Sequence, residues 1–205
     1  MTRKEAIQHV ALLIGCSVIG ANLFISGCKR KPSKEVASLF ERDNIDFLGA
    51  LAEAILPKTS TPGAEEAGVG EFIPVMIRDC YHQIDQKAFV EGFEGVDGRA
   101  IREFGKRFRR LSKEEQLQLM NTYDKEAKAF QIDRESIQSR IGANREGKEP
   151  IEYLPNHFFH MLKQLTLIGF FTSEKGMTQA LRYVKIPGKY DGNYPYKKGD
   201  RAFAL

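Results

Sequence analysis

Apolar residues recur every three or four positions along most of this chain, whereas runs of alternating β-branched residues are few. The first spacing places apolar side chains on one face of a helix, and the scarcity of the second pattern disfavours sheets. No internal repeat is present in the 205 residues. The sequence therefore predicts an all-α fold, with one compact, irregular helical domain over residues 41–205 that is not a symmetric bundle.

Prolines, glycines and caps divide this domain into predicted helices. Pro57 ends the first helix, and Ser112 with Glu115 forms a capping box, in which each side chain can bond the other residue's backbone N–H. The predicted helices cover residues 44–56, 69–83, 100–110, 112–130, 155–169 and 173–183, with a short one near 135–141. The glycine-rich residues 89–98 are predicted to form a loop, and the tail after residue 185 is predicted to be irregular.

Residues 10–28 contain no charged side chain, and they end in the motif ISGC, which resembles a lipobox. In a lipoprotein the cysteine of this motif, here Cys28, becomes the first mature residue and carries acyl chains. We therefore expect a signal peptide over residues 1–27, followed by lipidated Cys28 and a linker over residues 28–40. The expected location is the cell envelope, on a membrane and facing the periplasm. An uncleaved membrane helix is the alternative, since about 20 apolar residues can span a bilayer.

The basic residues before this stretch bear on the export route. Arg3 and Lys4 resemble a twin-arginine signal in which lysine replaces the second arginine. The general secretory route and the twin-arginine route therefore both stay open.

Motifs for catalysis and cofactor binding are absent from the sequence. Gly92, Gly95 and Gly98 follow no predicted strand, so they do not form the phosphate-binding turn of a dinucleotide site. A covalently bound c-type haem needs a Cys-x-x-Cys-His motif, which the chain lacks. The net charge of +4 is too small to indicate nucleic-acid binding. The residues alone favour an exported, lipid-anchored helical protein with no catalytic residue and no cofactor of its own.

A few residues remain as weak candidates for a site. His157 and His160 share a helix face and could hold a metal, although their spacing still requires a third ligand. Cys80, which neither leaves with the signal peptide nor carries lipid, is predicted to pack in the core. Three acids are predicted to be solvated at the surface: Asp79, Asp85 and Glu91. The alternative function is thus a stand-alone exported lipoprotein with a metal-dependent or non-redox binding role.

Two segments carry a family resemblance. The first is LAEAILPKTSTPGA at residues 51–64, which continues to GVGEFI at residues 68–73. The second includes LTLIGFFTSEKG at residues 165–176 and IPGKYDG at residues 186–192. In motif, order and spacing, the two segments resemble the landmarks of the gluconate 2-dehydrogenase subunit 3 family.

The resemblance implies a small, non-catalytic subunit of a membrane-associated flavin dehydrogenase. In such complexes a large subunit of the glucose-methanol-choline type carries FAD and oxidises sugars, sugar acids or polyols, and a cytochrome c subunit with haem c often accepts the electrons. Family members often carry a twin-arginine signal and are thought to take the large subunit across the membrane. We therefore expect this chain to bind, stabilise, help export or anchor an FAD-dependent large subunit.

Loop and tail residues are the candidates for the contact with that subunit. The backbone chemistry of the Pro62-Gly63 turn fixes its shape, and tail tyrosines supply aromatic groups of the kind that interfaces use. The tail candidates are Tyr190, Tyr194 and Tyr196. Phe170 and Phe171 are predicted to close the core over the end of a helix.

Overall fold

The computed structural model describes residues 34–143, 153–186, 188, 192–195 and 197–204. Over these residues the fold is all-α, as predicted. Its helices are α1 (Lys34–Ser38), α2 (Arg42–Ile55), α3 (Val69–Cys80), α4 (Gln83–Phe104), α5 (Lys113–Ala143) and α6 (Phe158–Thr172), with a 3-10 helix at Phe108–Arg110 and a π-helix at Gly176–Ala180. No helix in the described part of the chain combines the length and apolarity that crossing a membrane requires.

Helix α6 lies at the centre of the core. It packs against α2, α3, α4 and α5. Its apolar sequence allows this, because a helix that has neighbours on several sides must be apolar on several faces. The buried side chains are Phe158, Phe159, Met161, Leu162, Leu165 and Phe170. The prediction that this segment is a core helix is confirmed.

Helices α2 and α3 cross at close range because glycines lie at the crossing. A Cβ atom built on Gly70 would lie 2.6 Å from the carbonyl oxygen of Ile45 and 2.9 Å from the backbone nitrogen of Gly49. No side chain fits between the two backbones at this point. The first turn of α3 is therefore fixed against the middle of α2.

The glycine-rich segment at residues 89–98 is helical, so its prediction as a loop is wrong. It lies within α4, which is continuous from Gln83 to Phe104. A Cβ atom built on Gly92 would lie 2.2 Å from Cγ of Phe158, so this glycine lets α4 approach α6. Close packing against α6 explains a glycine in this helix, and the intrinsic preference of glycine for loops does not decide the local structure here.

Local sequence signals define the end of α4 and the start of α5. Helix α4 ends before Gly105, rather than at residue 110, because Gly105 adopts a left-handed conformation with φ of 73° and donates its N–H to the carbonyl of Ile101. The predicted capping box is confirmed at the start of α5. Glu115 donates its N–H to Oγ of Ser112 at 3.2 Å, and the Glu115 carboxylate accepts from the Ser112 N–H at 2.8 Å.

Helix α5 is longer than predicted and includes the separate short helix expected near residues 135–141. It runs to Ala143 instead of ending near residue 130. Arg134 donates from Nε to the carbonyl oxygens of Leu154 and Pro155, at 2.9 and 3.1 Å. This contact with the segment before α6 stabilises a polar stretch whose own pattern does not indicate a long helix.

Cys80 and Phe171 were predicted to be buried, but both side chains are exposed. Cys80 is the last residue of α3 and is exposed, with Sγ 4.0 Å from Sδ of Met76. Helix α3 ends here, three residues before the predicted end, so this position faces solvent. Phe170 is buried as predicted, whereas Phe171 is 40% exposed. Helix α6 continues through Gly169 to Thr172, and the extra turn places Phe171 on the outer face.

Candidate functional site

The loop between α2 and α3 is folded around one carboxylate. Glu53, near the end of α2, accepts hydrogen bonds from the backbone N–H groups of Lys58 at 2.7 Å and Glu65 at 3.0 Å. Gly63 has no room for a side chain, since a Cβ atom built there would lie 2.1 Å from Oε2 of Glu53. The hydrogen bonds to Glu53 and the lack of space at Gly63 therefore fix the shape of this loop, residues 57–68.

Two of the predicted interface residues lie beneath the surface of this loop. Pro62 and Gly63 are buried, whereas the three residues Lys58, Thr59 and Ser60 are exposed. A partner that approached the loop would meet these three residues, and the buried pair would fix their positions. Their part in an interface stays a prediction.

One acidic side chain joins this loop to the segment after α6. The carboxylate of Glu66 lies 2.8 Å from Nζ of Lys58 and 3.3 Å from Nζ of Lys175. Hydrogen bonds from the two lysines hold the pKa of Glu66 below its usual value, and the Glu66 carboxylate raises the pKa of Lys58. All three groups are partly exposed, so the pairing contributes more to geometry than to stability.

A second contact, between α3 and α6, also joins the two family segments. A Cβ atom built on Gly169 of α6 would lie 2.7 Å from the ring of Phe72 in α3. Together with the Glu66 bridge, this contact brings the two segments that carry the family resemblance against each other. Segments that lie far apart in the sequence thus form one continuous region of the fold.

The chain after α6 turns on Ser173. Its Oγ donates to the carbonyl oxygen of Phe170 at 2.7 Å and accepts from the N–H of Gly176 at 3.0 Å. A Cβ atom built on Gly176 would lie 1.8 Å from the same carbonyl oxygen. This tight turn leads into the π-helix Gly176–Ala180, which replaces the longer helix predicted for residues 173–183.

Helix α6 presents an exposed apolar patch next to this turn. We define the α6 patch as Leu167, Ile168 and Phe171, which are 38%, 48% and 40% exposed. Phe171 lies four positions after Leu167 and three after Ile168, so its side chain neighbours both of them on the helix surface. On a helix that is otherwise the centre of the core, such a face is available for contact with another protein.

The described part of the tail folds back onto Arg182. The Arg182 N–H donates to the carbonyl of Ala202 at 2.8 Å, and the Ala204 N–H donates to the carbonyl of Arg182 at 3.1 Å. The Arg182 guanidinium lies over the rings of Tyr194 and Phe203, at 5.0 and 4.8 Å from their centres. Tyr194, 43% exposed, is thus a fixed aromatic group at the surface.

Other predicted residues lie outside the part of the chain that the structure describes. These are the lipidation site Cys28 and the tail tyrosines Tyr190 and Tyr196. The signal peptide over residues 1–27 lies outside it as well. Their roles stay predictions.

The two histidines lie at the start of α6, where His157 has a local role. His157 is the N-cap residue, and its Nδ1 accepts the N–H of Phe159 at 3.2 Å. Burial lowers the pKa values of both His157 and His160. Among the described residues, no group of three His, Cys, Asp or Glu side chains is placed to hold a metal.

Asp85 is a buried polar centre that the sequence analysis missed. It was predicted to be solvated, but it is 1% exposed. Its carboxylate accepts from the hydroxyl of Tyr153 at 2.7 Å and from the N–H and Nδ2 of Asn156 at 2.7 and 3.1 Å. Desolvation and the Asp85 carboxylate raise the pKa of Tyr153. Tyr153 and Asn156 lie about 70 positions from Asp85 in the sequence. No local pattern therefore reveals the hydrogen bonds that hold residues 153–156 to α4.

The sequence model of one family, gluconate 2-dehydrogenase subunit 3, matches residues 42–188. The match covers α2 to α6, the loop around Glu53 and the turn at Ser173. No curated protein and no solved structure matches the chain.

Proposed function

The chain belongs to the gluconate 2-dehydrogenase subunit 3 family, and from this we propose that it is the non-catalytic accessory subunit of an FAD-dependent dehydrogenase of the glucose-methanol-choline type. The large subunit of that complex oxidises a sugar, a sugar acid or a polyol. The present chain binds the large subunit, stabilises it and holds it at the membrane.

The observation that carries the proposal is the α6 patch, which lies within the second of the two convergent family segments. Leu167, Ile168 and Phe171 form an exposed apolar face on a helix, and the buried centre of a protein interface is richer in apolar and aromatic side chains than the rest of the surface. The loop around Glu53 and the turn at Ser173 are shaped by internal hydrogen bonds. A surface that is ordered before binding loses less entropy when it binds.

The chemistry of the complex is assigned to other subunits. FAD binds to the large subunit in this proposal, and a cytochrome subunit with haem c takes the electrons in complexes that contain one. The present chain has neither the glycine-rich turn of a dinucleotide site nor a haem attachment motif in its sequence. Its own contribution is binding and placement.

We further propose that Cys28 is acylated and anchors the complex on the periplasmic side of a membrane. The lipobox-like ISGC motif and the uncharged stretch before it support this anchor. The pair Arg3 and Lys4 departs from a full twin-arginine signal, because lysine replaces the second arginine, so a part in export of the folded complex is the alternative to anchoring. In both cases the small subunit determines where the large subunit is located.

Co-purification tests the proposed function. The tagged full chain is isolated from gently solubilised membranes of its own host, and the flavin absorbance and the identities of the co-purifying chains are recorded. We expect a flavoprotein of the glucose-methanol-choline type in a fixed ratio to the bait. A colourless protein that is isolated alone would contradict the proposal.

A further inference from the structure

A short segment at the end of α4 concentrates positive charge. Residues 34–205 contain as many acidic as basic residues, yet residues 102–113 contain six basic residues and one acid. We call this segment the basic loop. Its cations are Arg102, Lys106, Arg107, Arg109, Arg110 and Lys113, and all six are exposed.

The basic loop is rigid because a buried aromatic residue anchors it. Phe108 is fully buried. Its N–H donates to Oδ1 of Asp97 at 2.9 Å, and its carbonyl accepts from Nε2 of Gln116 at 3.1 Å. The cations on either side of Phe108 are therefore presented outward from a fixed backbone.

Most of these cations take no part in the ion pairs of this region. Arg99, which precedes the loop, pairs with Glu103 and Glu126, and Arg107 approaches Asp97 at 4.0 Å. The exposed Arg102, Lys106, Arg109 and Arg110 belong to none of these described pairs. Such a group of like charges on a fixed loop attracts an anionic surface.

The position of the loop favours a membrane as that surface. Lys106, Arg107 and Arg110 line an open depression together with Asp43 and Asn44, which lie in the first turn of α2. This is the end of α2 that the chain reaches first from its amino-terminal side. Three further cations, at positions 29–31, directly follow the proposed lipid anchor.

Because α1 (Lys34–Ser38) lies within the predicted linker, only the chain between Cys28 and Lys34 limits how far the described fold can lie from the anchor. Cys28 and Lys34 are separated by six positions, so an extended chain between them spans at most about 20 Å. The Debye length at physiological ionic strength is about 8 Å, and charges near a bilayer act within that range. An acylated Cys28 would therefore hold Lys34, where the described fold begins, within about 20 Å of the anchor.

We infer that the basic loop lies against the anionic headgroups of the membrane that holds the lipid anchor, and so orients the subunit. The inference rests on the proposed acylation of Cys28. Glu53, which holds the loop between α2 and α3, lies ten residues along α2 from Asp43, a distance of about 15 Å. One end of α2 thus faces lipid, and the loop at its other end is directed away from the membrane.

Fluorescence quenching in reconstituted vesicles tests this orientation. The acylated full chain is prepared in a Cys80→Ser background with one labelling cysteine. The fluorophore is attached either to Ile101→Cys, an exposed position beside the basic loop, or to Ser60→Cys, in the loop at the other end of α2. The vesicles contain a headgroup-labelled quencher lipid in either phosphatidylglycerol or phosphatidylcholine. In phosphatidylglycerol we expect quenching at position 101 to exceed that at position 60 by about twofold, and to fall at ~1 M salt, where the Debye length is about 3 Å.

A matched pair of charge variants completes the test. Arg107→Gln with Arg109→Gln and Arg110→Gln is expected to abolish the excess quenching at position 101. The control changes three exposed lysines elsewhere, Lys125→Gln, Lys185→Gln and Lys198→Gln, and is expected to preserve it.

The outcomes separate the inference from the proposals on which it rests. Equal quenching in both lipids, or no effect of the arginine variant, overturns the inference. Loss of flavoprotein co-purification in the arginine variant with unchanged quenching would assign the loop to an acidic protein partner and also overturn it. The mass of the amino-terminal peptide reports acylation separately, and an unacylated Cys28 would overturn the anchor and this inference together.

Discussion

His157 illustrates how single side chains hold the elements of this protein in place. Its neutral ring caps α6 by accepting the N–H of Phe159 at 3.2 Å. Burial lowers the pKa of His157 in the folded chain below the ordinary value of 6.5. Protonation would both place a charge in a half-buried site and remove the acceptor at Nδ1, since both ring nitrogens of a protonated histidine are donors.

The free energy of unfolding should therefore decrease as the pH falls. Near pH 6.5 and below, the unfolded chain binds a proton at His157 more readily than the folded chain does. The stability that the neutral ring contributes is complete above pH 6.5 and is lost as the pH falls toward the lower folded pKa. His160, whose pKa is also lowered by burial, adds to the same loss.

The His157→Asn variant tests this account, because asparagine is a good N-cap that does not titrate. Denaturant unfolding between pH 7.5 and about 5 should show a smaller loss of the free energy of unfolding than in the wild type. His82→Asn is the control, since His82 occupies the N-cap position of α4 without a side-chain cap bond. An unchanged pH dependence in His157→Asn would show that the cap does not titrate as described.

At the scale of elements, the glycines of α4 have different roles. Gly92 lies against Phe158 with no space for a Cβ atom, whereas nothing lies within 4 Å of a Cβ atom built on Gly95. The contact at Gly92 sets the distance between α4 and α6. Gly95 is an exposed position in the same helix.

Alanine substitutions should therefore have opposite effects. Gly92→Ala forces α4 and α6 apart and should lower the free energy of unfolding by about 2 kcal/mol. Gly95→Ala should raise it by about 0.5–1 kcal/mol, since alanine favours a helix and meets no neighbour. Thermal or denaturant unfolding of the two purified variants measures both. Similar destabilisation by the two substitutions would mean that α4 does not pack on α6 as described.

The same elements show which parts of the fold the sequence could predict. The helical spacing, Pro57 and the Ser112–Glu115 box are local signals, and they correctly predict the fold class, the end of α2 and the start of α5. The continuity of α4 and the length of α5 depend on contacts with residues 153–158, which local patterns do not contain.

The candidate site likewise has features that the sequence predicts and features that depend on the fold. The two family segments could be recognised from sequence, but their contact through Glu66 and Lys175 spans 109 positions and required the fold. The exposure of Phe171 depends on one extra helical turn past Gly169. A glycine near a helix end does not by itself show whether that helix stops.

At the scale of the whole molecule, the surfaces have separate positions. The α6 patch and the loop around Glu53 belong to the convergent family segments, whereas the basic loop lies by the first turn of α2. In the proposed complex, these separate surfaces let the chain contact a large subunit and a membrane at the same time.

Substitutions in the α6 patch test most directly whether this surface binds a flavoprotein. The tagged full chain is purified from its host membranes as wild type, as Ile168→Ser with Phe171→Ser, and as the control Leu117→Ser with Ile132→Ser, which alters exposed apolar residues on α5. Flavin recovered per mole of bait should fall by about tenfold in the α6 variant, because central apolar residues dominate interface energy. The control should match the wild type. Equal flavin recovery in all three preparations, or none from the wild type, would contradict the account.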